Sequence, residues 1–270
     1  MARTSQSALF MAGFVRLARD HFEARKPDKA IAVLQQAVDL AAIVPTNNPL
    51  IRRQAYQAYY NLAEYYFEAG RSEAASPYCD KANELSETLQ RTDPSDLLFM
   101  RLGSYSRRLS GRVAFAQERW DEALRHFEIM LEVREDLAER EPGVPHRQFE
   151  IADAHSWIGK TARKDSQLDR AVEHHKAACT IFADLLEAEP ETAEYAVMLT
   201  HAEVHLASDH MSYKTSDANE VALELFARAR QRVGEDLNTT LGQQNRIADL
   251  LAAIDKSVGT LNRRVAPDSK

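Results

Sequence analysis

The sequence predicts an all-α fold of stacked helical hairpins, and three observations predict it. The first is composition: 270 residues with 44% hydrophobic and 28% charged side chains, but only 9 Gly and 9 Pro. Sandwiches and barrels need a turn roughly every ten residues, and that punctuation is missing, whereas Ala, Leu, Glu, Arg and Gln are strong helix formers. The second is an acid–Pro dipeptide that recurs 48 residues apart, at Asp93-Pro94, Glu141-Pro142 and Glu189-Pro190. The third is a small residue followed twelve positions later by Ala: Ala18 and Ala30, Ala63 and Ala75, Gly111 and Ala123, Gly159 and Ala171. A fifth pair, Ala207 and Ala222, is three residues wider, and the polar stretch 212–219 is expected to absorb the excess as a loop.

More positions repeat in register. Leu17, Leu62, Ser110, Ile158 and Leu206 each precede the small residue. Four positions after each Ala stand Leu34, Cys79, Phe127, His175 and Phe226, and seven after it Ala37, Ala82, Met130, Ala178 and Ala229. Spacings of 4 and 7 put these on one face of a helix. Two helices that cross closely need small residues at the crossing and large apolar ones around it, and each pair leaves a face that only the next pair can cover.

First helices are therefore expected near 8–24, 50–69, 95–117, 146–164 and 192–211, and second helices near 28–43, 72–91, 121–140, 168–188 and 218–233. Pro27 before Asp28 suits a helix start, because the donor it lacks is unneeded there. Pro77 falls about one turn into its helix and predicts a late start or a kink. Ile247, Leu250, Leu251, Ile254 and Val258 share a helical phase and predict a capping helix at about 243–262, followed by a tail over 263–270. The expected organisation is one solenoid domain over 1–270, with repeats at about 8–44, 50–92, 95–140, 146–188 and 192–234.

The pattern carried by Tyr59, Leu62, Ala63, Tyr66, Gly70, Ala75 and Ala82, and again by Gly111, Trp120, Ala123, Phe127 and Pro142, resembles the tetratricopeptide repeat family over about residues 8–235. The usual unit is about 34 residues; here the period is 45 to 51. The added length implies helices of roughly 20 residues, similar to the kinesin light chain and nephrocystin-3 repeats found in many bacterial signalling and defence proteins. Ser110, His175 and the wider fifth repeat depart from the pattern.

The resemblance implies a right-handed superhelical solenoid whose first helices line a concave, peptide-holding groove. The register places Arg16, Arg19 and Glu23 on that face. It adds Gln57, Tyr60, Asn61 and Glu64 from the second repeat and Tyr105, Arg108 and Arg112 from the third. Asp153, Trp157, Lys160 and Lys164 follow, then His201 and His205. This set holds six Arg/Lys against three acids, in a chain of net charge −7. Basic groups beside Tyr and Trp suit a protein or peptide segment with acidic groups and a bulky apolar residue. Some relatives clamp a terminal carboxylate with a Lys, Asn, Asn, Lys, Arg set. Only Asn61 falls on a matching position, while Val15, Arg19, Tyr105 and Leu109 occupy the others, so that function is disfavoured.

The expected function is a non-enzymatic adaptor or scaffold. The alternative is a regulatory subunit that senses a peptide or effector protein. A third reading is a metal-dependent enzyme at His201, His205 and Asp209, which lie one helical turn apart; His174 and His175 are adjacent and point apart. Phosphate-binding glycine loops and nucleophile elbows are missing from the sequence, so no cofactor is expected. The acidic balance argues against nucleic acid. Cys79 and Cys179 have no CxxC neighbour and are expected as reduced, buried thiols. The apolar run 8–15 after Arg3 lacks a small-x-small cleavage site before Arg16, Arg19 and Asp20, and no stretch is long enough to span a bilayer, so the cytoplasm is the expected compartment. Leu9, Phe10 and Phe14 on an uncapped first helix predict stacking on another copy.

Overall fold

The computed structural model describes residues 2–44, 48–236 and 241–265. Eleven α-helices and no strand occur among them. The first helices of five hairpins are α1 (Ala2–Glu23), α3 (Pro49–Glu68), α5 (Leu97–Ala116), α7 (Pro145–Lys164) and α9 (Ala193–Tyr213). The second helices are α2 (Pro27–Ile43), α4 (Ser72–Thr92), α6 (Trp120–Arg140), α8 (Leu168–Ala188) and α10 (Ser216–Asp236), and α11 (Leu241–Val265) follows. The chain forms two compact units, Met1–Arg140 with α1 to α6 and Glu141–Lys270 with α7 to α11.

Within each unit every helix packs on the next one in sequence, and first helices also meet side by side, α1 with α3, α3 with α5, and α7 with α9. The repeated small residues account for this packing. Ala18, Ala30, Ala63, Ala75, Ala123, Ala171, Ala207 and Ala222 are completely buried. A Cβ on Gly111 would come within 2.4 Å of the Phe127 ring, and one on Gly159 within 2.7 Å of the His175 ring. The apolar positions in register with them, Leu34, Cys79, Phe127 and Phe226, are buried too, each fully covered apolar side chain stabilising by roughly 1.5–3 kcal/mol. Leu17 is the exception: it is 46% exposed.

The turn inside each hairpin holds one residue in the left-handed region, seven positions after the small residue: Arg25, Gly70, Glu118, Ser166 and Lys214. In the first four, the amide of this residue and the next reach back to the helix that is ending. Gly70 N donates to Phe67 O and Arg71 N to Tyr66 O, and the same pair of bonds recurs after α1, α5 and α7. This satisfies carbonyls that a helix end leaves open. Between hairpins, Asp93 and Glu189 of the acid–Pro dipeptides end α4 and α8, and Asn48 and Asp96 cap α3 and α5 by accepting from Leu50 N and Leu98 N at 2.8 Å.

Three expectations change. The late start expected from Pro77 is not found: α4 starts at Ser72, ahead of it, and the ring costs a single backbone donor near the helix start. α1 starts at Ala2, earlier than position 8. The three extra residues of the fifth repeat do not form a loop. Only Lys214 and Thr215 separate α9 from α10, and α10 starts six residues ahead of Ala222, where α8 starts three ahead of Ala171. In α11, Ile254 and Leu261 are fully buried and Leu251 and Val258 half-buried, against α10 and α9. The side chains of Ile247 and Leu250, and residues 266–270 of the expected tail, lie outside the described residues.

Candidate functional site

In the first unit, the face shared by α3 and α5 is built from aromatic and charged side chains one turn apart. Tyr56 is buried, donates its hydroxyl to Leu102 O at 2.7 Å, and stacks on Tyr60 with centroids 5.8 Å apart. Tyr60 donates to Glu64 at 3.5 Å. Arg112 pairs with Glu68 at 3.0 Å and lies over the Phe67 ring at 4.6 Å. Burial pushes the Tyr60 hydroxyl up, and the Glu64 carboxylate adds to this against Arg108 and Arg112. Glu64 itself is raised by burial and by Glu68, again against Arg112 and Arg108. Tyr105 is 37% exposed beside this cluster, Asn61 is half-buried, and Arg16 and Arg19 are exposed on α1.

In the second unit, α7 and α9 carry a different arrangement. Lys160 Nζ sits 4.9 Å above the Trp157 ring, and Lys164 is exposed one turn further on. Beside them lies a polar network built around a buried pair. His175 and Asp209 are both completely buried and hydrogen-bonded through His175 Nδ1 and Asp209 Oδ2. Arg163 donates to Asp209 Oδ1 and to the carbonyl of His205, each at 3.3 Å, and lies 3.2 Å from His205 Nδ1. The His205 ring stacks on His175 at 5.3 Å. Burial holds the His205 imidazole well below its ordinary range, and Lys160, His175, Arg163 and His201 lower it further. The Arg163 cation offsets the buried Asp209 carboxylate, as a buried charge requires.

Sequence spacing placed most of these residues on the first-helix faces and missed others. Asp153 is 8% exposed and belongs to the interior. Glu68 was missed, although positions 60, 64 and 68 are one helical turn apart. With Glu64 and Glu68 beside Arg108 and Arg112, the face shared by α3 and α5 is balanced in charge. Of the named groove residues, the basic excess sits on α1, with Arg16 and Arg19 against Glu23, and on α7, with Lys160 and Lys164. Asp209, grouped by sequence with His201 and His205 as a metal set, instead has its two carboxylate oxygens on His175 and Arg163. Among the described residues no three His, Cys, Asp or Glu side chains gather as a metal would need.

Cys79 is buried and Cys179 half-buried, both as free thiols, and burial pushes each up to about 12. Cys179 lines a cleft of about 480 Å³ between α8 and α10, floored by Leu199, Glu203 and Leu206 of α9, which sequence spacing did not reveal. Glu203 is held there by Arg232 at 2.5 Å. Among the described residues, no helix is long and apolar enough to cross a membrane.

Residues 15–88 match the tetratricopeptide repeat family. No curated protein matches the chain. Several solved structures share its fold. One is a Podosopora anserina protein with nearly identical TPR-like repeats, of kinesin light chain type. It is 18% identical with a TM-score of 0.62, over 84% of this chain and 95% of that one. BtubC (BKLC) from P. vanneervenii is 15% identical with a TM-score of 0.62, over 88% and 93%. A Pyrococcus horikoshii signal transduction ATPase with numerous domains and a tetratricopeptide repeat sensor is 17% identical with a TM-score of 0.63. That match spans 90% of this chain but 32% of the ATPase. Residues 15–88 thus match the tetratricopeptide repeat family, and the buried small residues of each crossing and the shared folds show the same stacked-hairpin fold in the rest of the chain.

Proposed function

We propose that the chain is a protein- or peptide-binding adaptor of the cytoplasm, working without a catalytic step, and that its first-helix faces do the binding. The observation that carries this reading is the α7 and α9 face. Trp157 and Lys160 stand together at 4.9 Å, Lys164 is exposed beside them, and the Arg163–Asp209–His175 network fixes the backbone beneath. A stacked cation and aromatic over a rigid base suits a carboxylate and a bulky apolar side chain presented together. His201 and His205 extend this face along α9. In the first unit, Tyr60, Asn61, Tyr105, Arg108 and Arg112 offer aromatic surface with balanced charge, and Arg16 and Arg19 flank it. That face favours apolar contact over anion capture.

Each unit contains one tryptophan, Trp120 or Trp157. Titrating a Trp120→Phe protein with short acidic peptides that contain Phe or Leu should shift Trp157 emission, and added salt should weaken the effect, because part of the attraction is between exposed charges. Peptides that bind without moving Trp157 emission would place the site elsewhere. A second reading, a sensor subunit that relays peptide binding to another protein, draws support from the likeness to part of the Pyrococcus horikoshii ATPase, a protein with a tetratricopeptide repeat sensor. It predicts that the bound peptide alters the chain's affinity for a second protein.

A further inference from the structure

The outward face of α1 leaves three large apolar side chains open to solvent among Gln6, Arg16 and Asp20. Leu9 is 73% exposed, Phe10 55% and Leu17 46%. The opposite face, with Ala8, Met11 and Ala18, is buried in the unit's own core, and Phe14 packs there as well, so Phe14 is not part of the exposed set. Gly13 lies at the centre of the outward face by helical phase. A glycine inside a helix costs stability, and in this chain Gly111 and Gly159 have a visible reason, since a Cβ on either would strike a ring. Gly13 has no such reason: a Cβ there would meet nothing within 4 Å. Gly259 in α11 is equally open, but Asp255, Lys256, Asn262 and Arg263 around it are all exposed and polar.

We propose that α1 pairs antiparallel with α1 of a second copy of this chain, on a two-fold axis passing through Gly13. In a two-fold contact each residue meets its mirror position twice. About Gly13 the pairing sets Leu9 against Leu17, Phe10 against Arg16, and Gln6 against Asp20. All six side chains are exposed. The three pairs are chemically matched: an apolar contact, a guanidinium over an aromatic ring, and an amide donating to a carboxylate. A parallel arrangement would set Arg16 on Arg16 and Asp20 on Asp20, like charge on like. The open glycine lets the two backbones approach at the centre, and this gives its position a purpose that the single chain does not.

Sedimentation equilibrium on the full chain tests this. The wild type should show a concentration-dependent monomer–dimer equilibrium. Gly13→Leu should weaken the dimer by roughly tenfold or more. The same change should leave the melting temperature of the monomer equal or higher, because the new side chain meets nothing in its own chain and leucine favours helix. Phe10→Glu should also weaken the dimer, and Gly13→Cys should cross-link two copies under mild oxidation, whereas Ala32→Cys on the exposed side of α2 should not. A wild type that stays monomeric at all concentrations overturns the proposal. So does a dimer that Gly13→Leu leaves intact, or one that cross-links through Leu17→Cys and not through Gly13→Cys.

Discussion

Gly111 in the first unit and Gly159 in the second hold the same place in their repeats, yet they are plugged by different chemistry. Phe127 fills the crossing against Gly111 and is fully buried. His175 fills the crossing against Gly159 and brings polar atoms into a dry site, so its Nδ1 is matched by Asp209, and Asp209 in turn by Arg163. One polar residue at a core position thus recruits partners from α7 and α9, the two helices that flank it. The repeat specifies volume at the crossing; polarity is tolerated there with a counter-group on one ring nitrogen, while His175 Nε2 is buried without a hydrogen-bond partner among the described residues.

The largest expected effect comes from removing the counter-group. Asp209→Ala leaves the Arg163 cation and the His175 donor without their acceptor and should destabilise the second unit by about 3–5 kcal/mol. Urea unfolding followed by Trp157 emission in a Trp120→Phe background measures it; a loss under 1 kcal/mol, by the same scale, would mean that water replaces the carboxylate. Next come the crossings themselves. Gly111→Leu and Gly159→Leu should each cost roughly 1–3 kcal/mol or more by overpacking. Gly159→Leu should cost the more, because His175 cannot move aside without breaking its bond to Asp209. Equal melting temperatures for the two variants would remove that distinction.

Acid should separate the units by a smaller margin. His126 in the first unit is held down to about 4, chiefly by burial with Arg107 and other arginines adding. In the second unit burial holds down four: His174 to about 4, and His155, His205 and His210 in the same direction. His155 and His174 face each other through their Nδ1 atoms at 2.9 Å, which only works if one of them accepts. These rings stay neutral when folded while the unfolded chain takes up protons. Their contribution is therefore complete above the unfolded value of about 6.5 and is lost as pH falls toward about 4. Trp157 should report unfolding at a higher pH than Trp120. The reverse order would contradict the assignment. The smallest effect is a gain: Ser166→Gly or Glu118→Gly relieves a left-handed non-glycine turn, at φ of 63° and 58°, and should stabilise by about 0.5–1 kcal/mol in thermal unfolding.

Most of the fold was legible because the small residues and Ala at fixed spacing are a direct imprint of helix crossings. Helix limits follow within a few residues, except at the start of α1, where no cap or glycine marks the boundary. The hairpin turns were not legible beyond Gly70, since Arg25, Glu118, Ser166 and Lys214 adopt the same backbone with no sequence sign of it. The Arg163–Asp209–His175 network was invisible for another reason: its members are 34 and 46 residues apart, and only the stacking of α7, α8 and α9 joins them. Read along α9 alone, Asp209 falls in line with His201 and His205, and only the neighbouring helices show that it turns toward α8.

On the reading proposed above, binding lies on first-helix faces and Lys160 and Lys164 of α7 supply a basic part of the surface. The affinity of the full chain for a peptide selected for binding, one that carries Asp or Glu beside Phe, tests it most directly, compared across three variants. Lys160→Glu with Lys164→Glu should weaken binding by roughly tenfold or more, as loss and reversal of charge contacts does. Arg108→Glu should weaken it less, because Glu64 and Glu68 already offset that face, and Lys176→Glu on the second helix α8 should leave it unchanged. Binding that survives the α7 double change and is lost with Lys176→Glu would contradict the account.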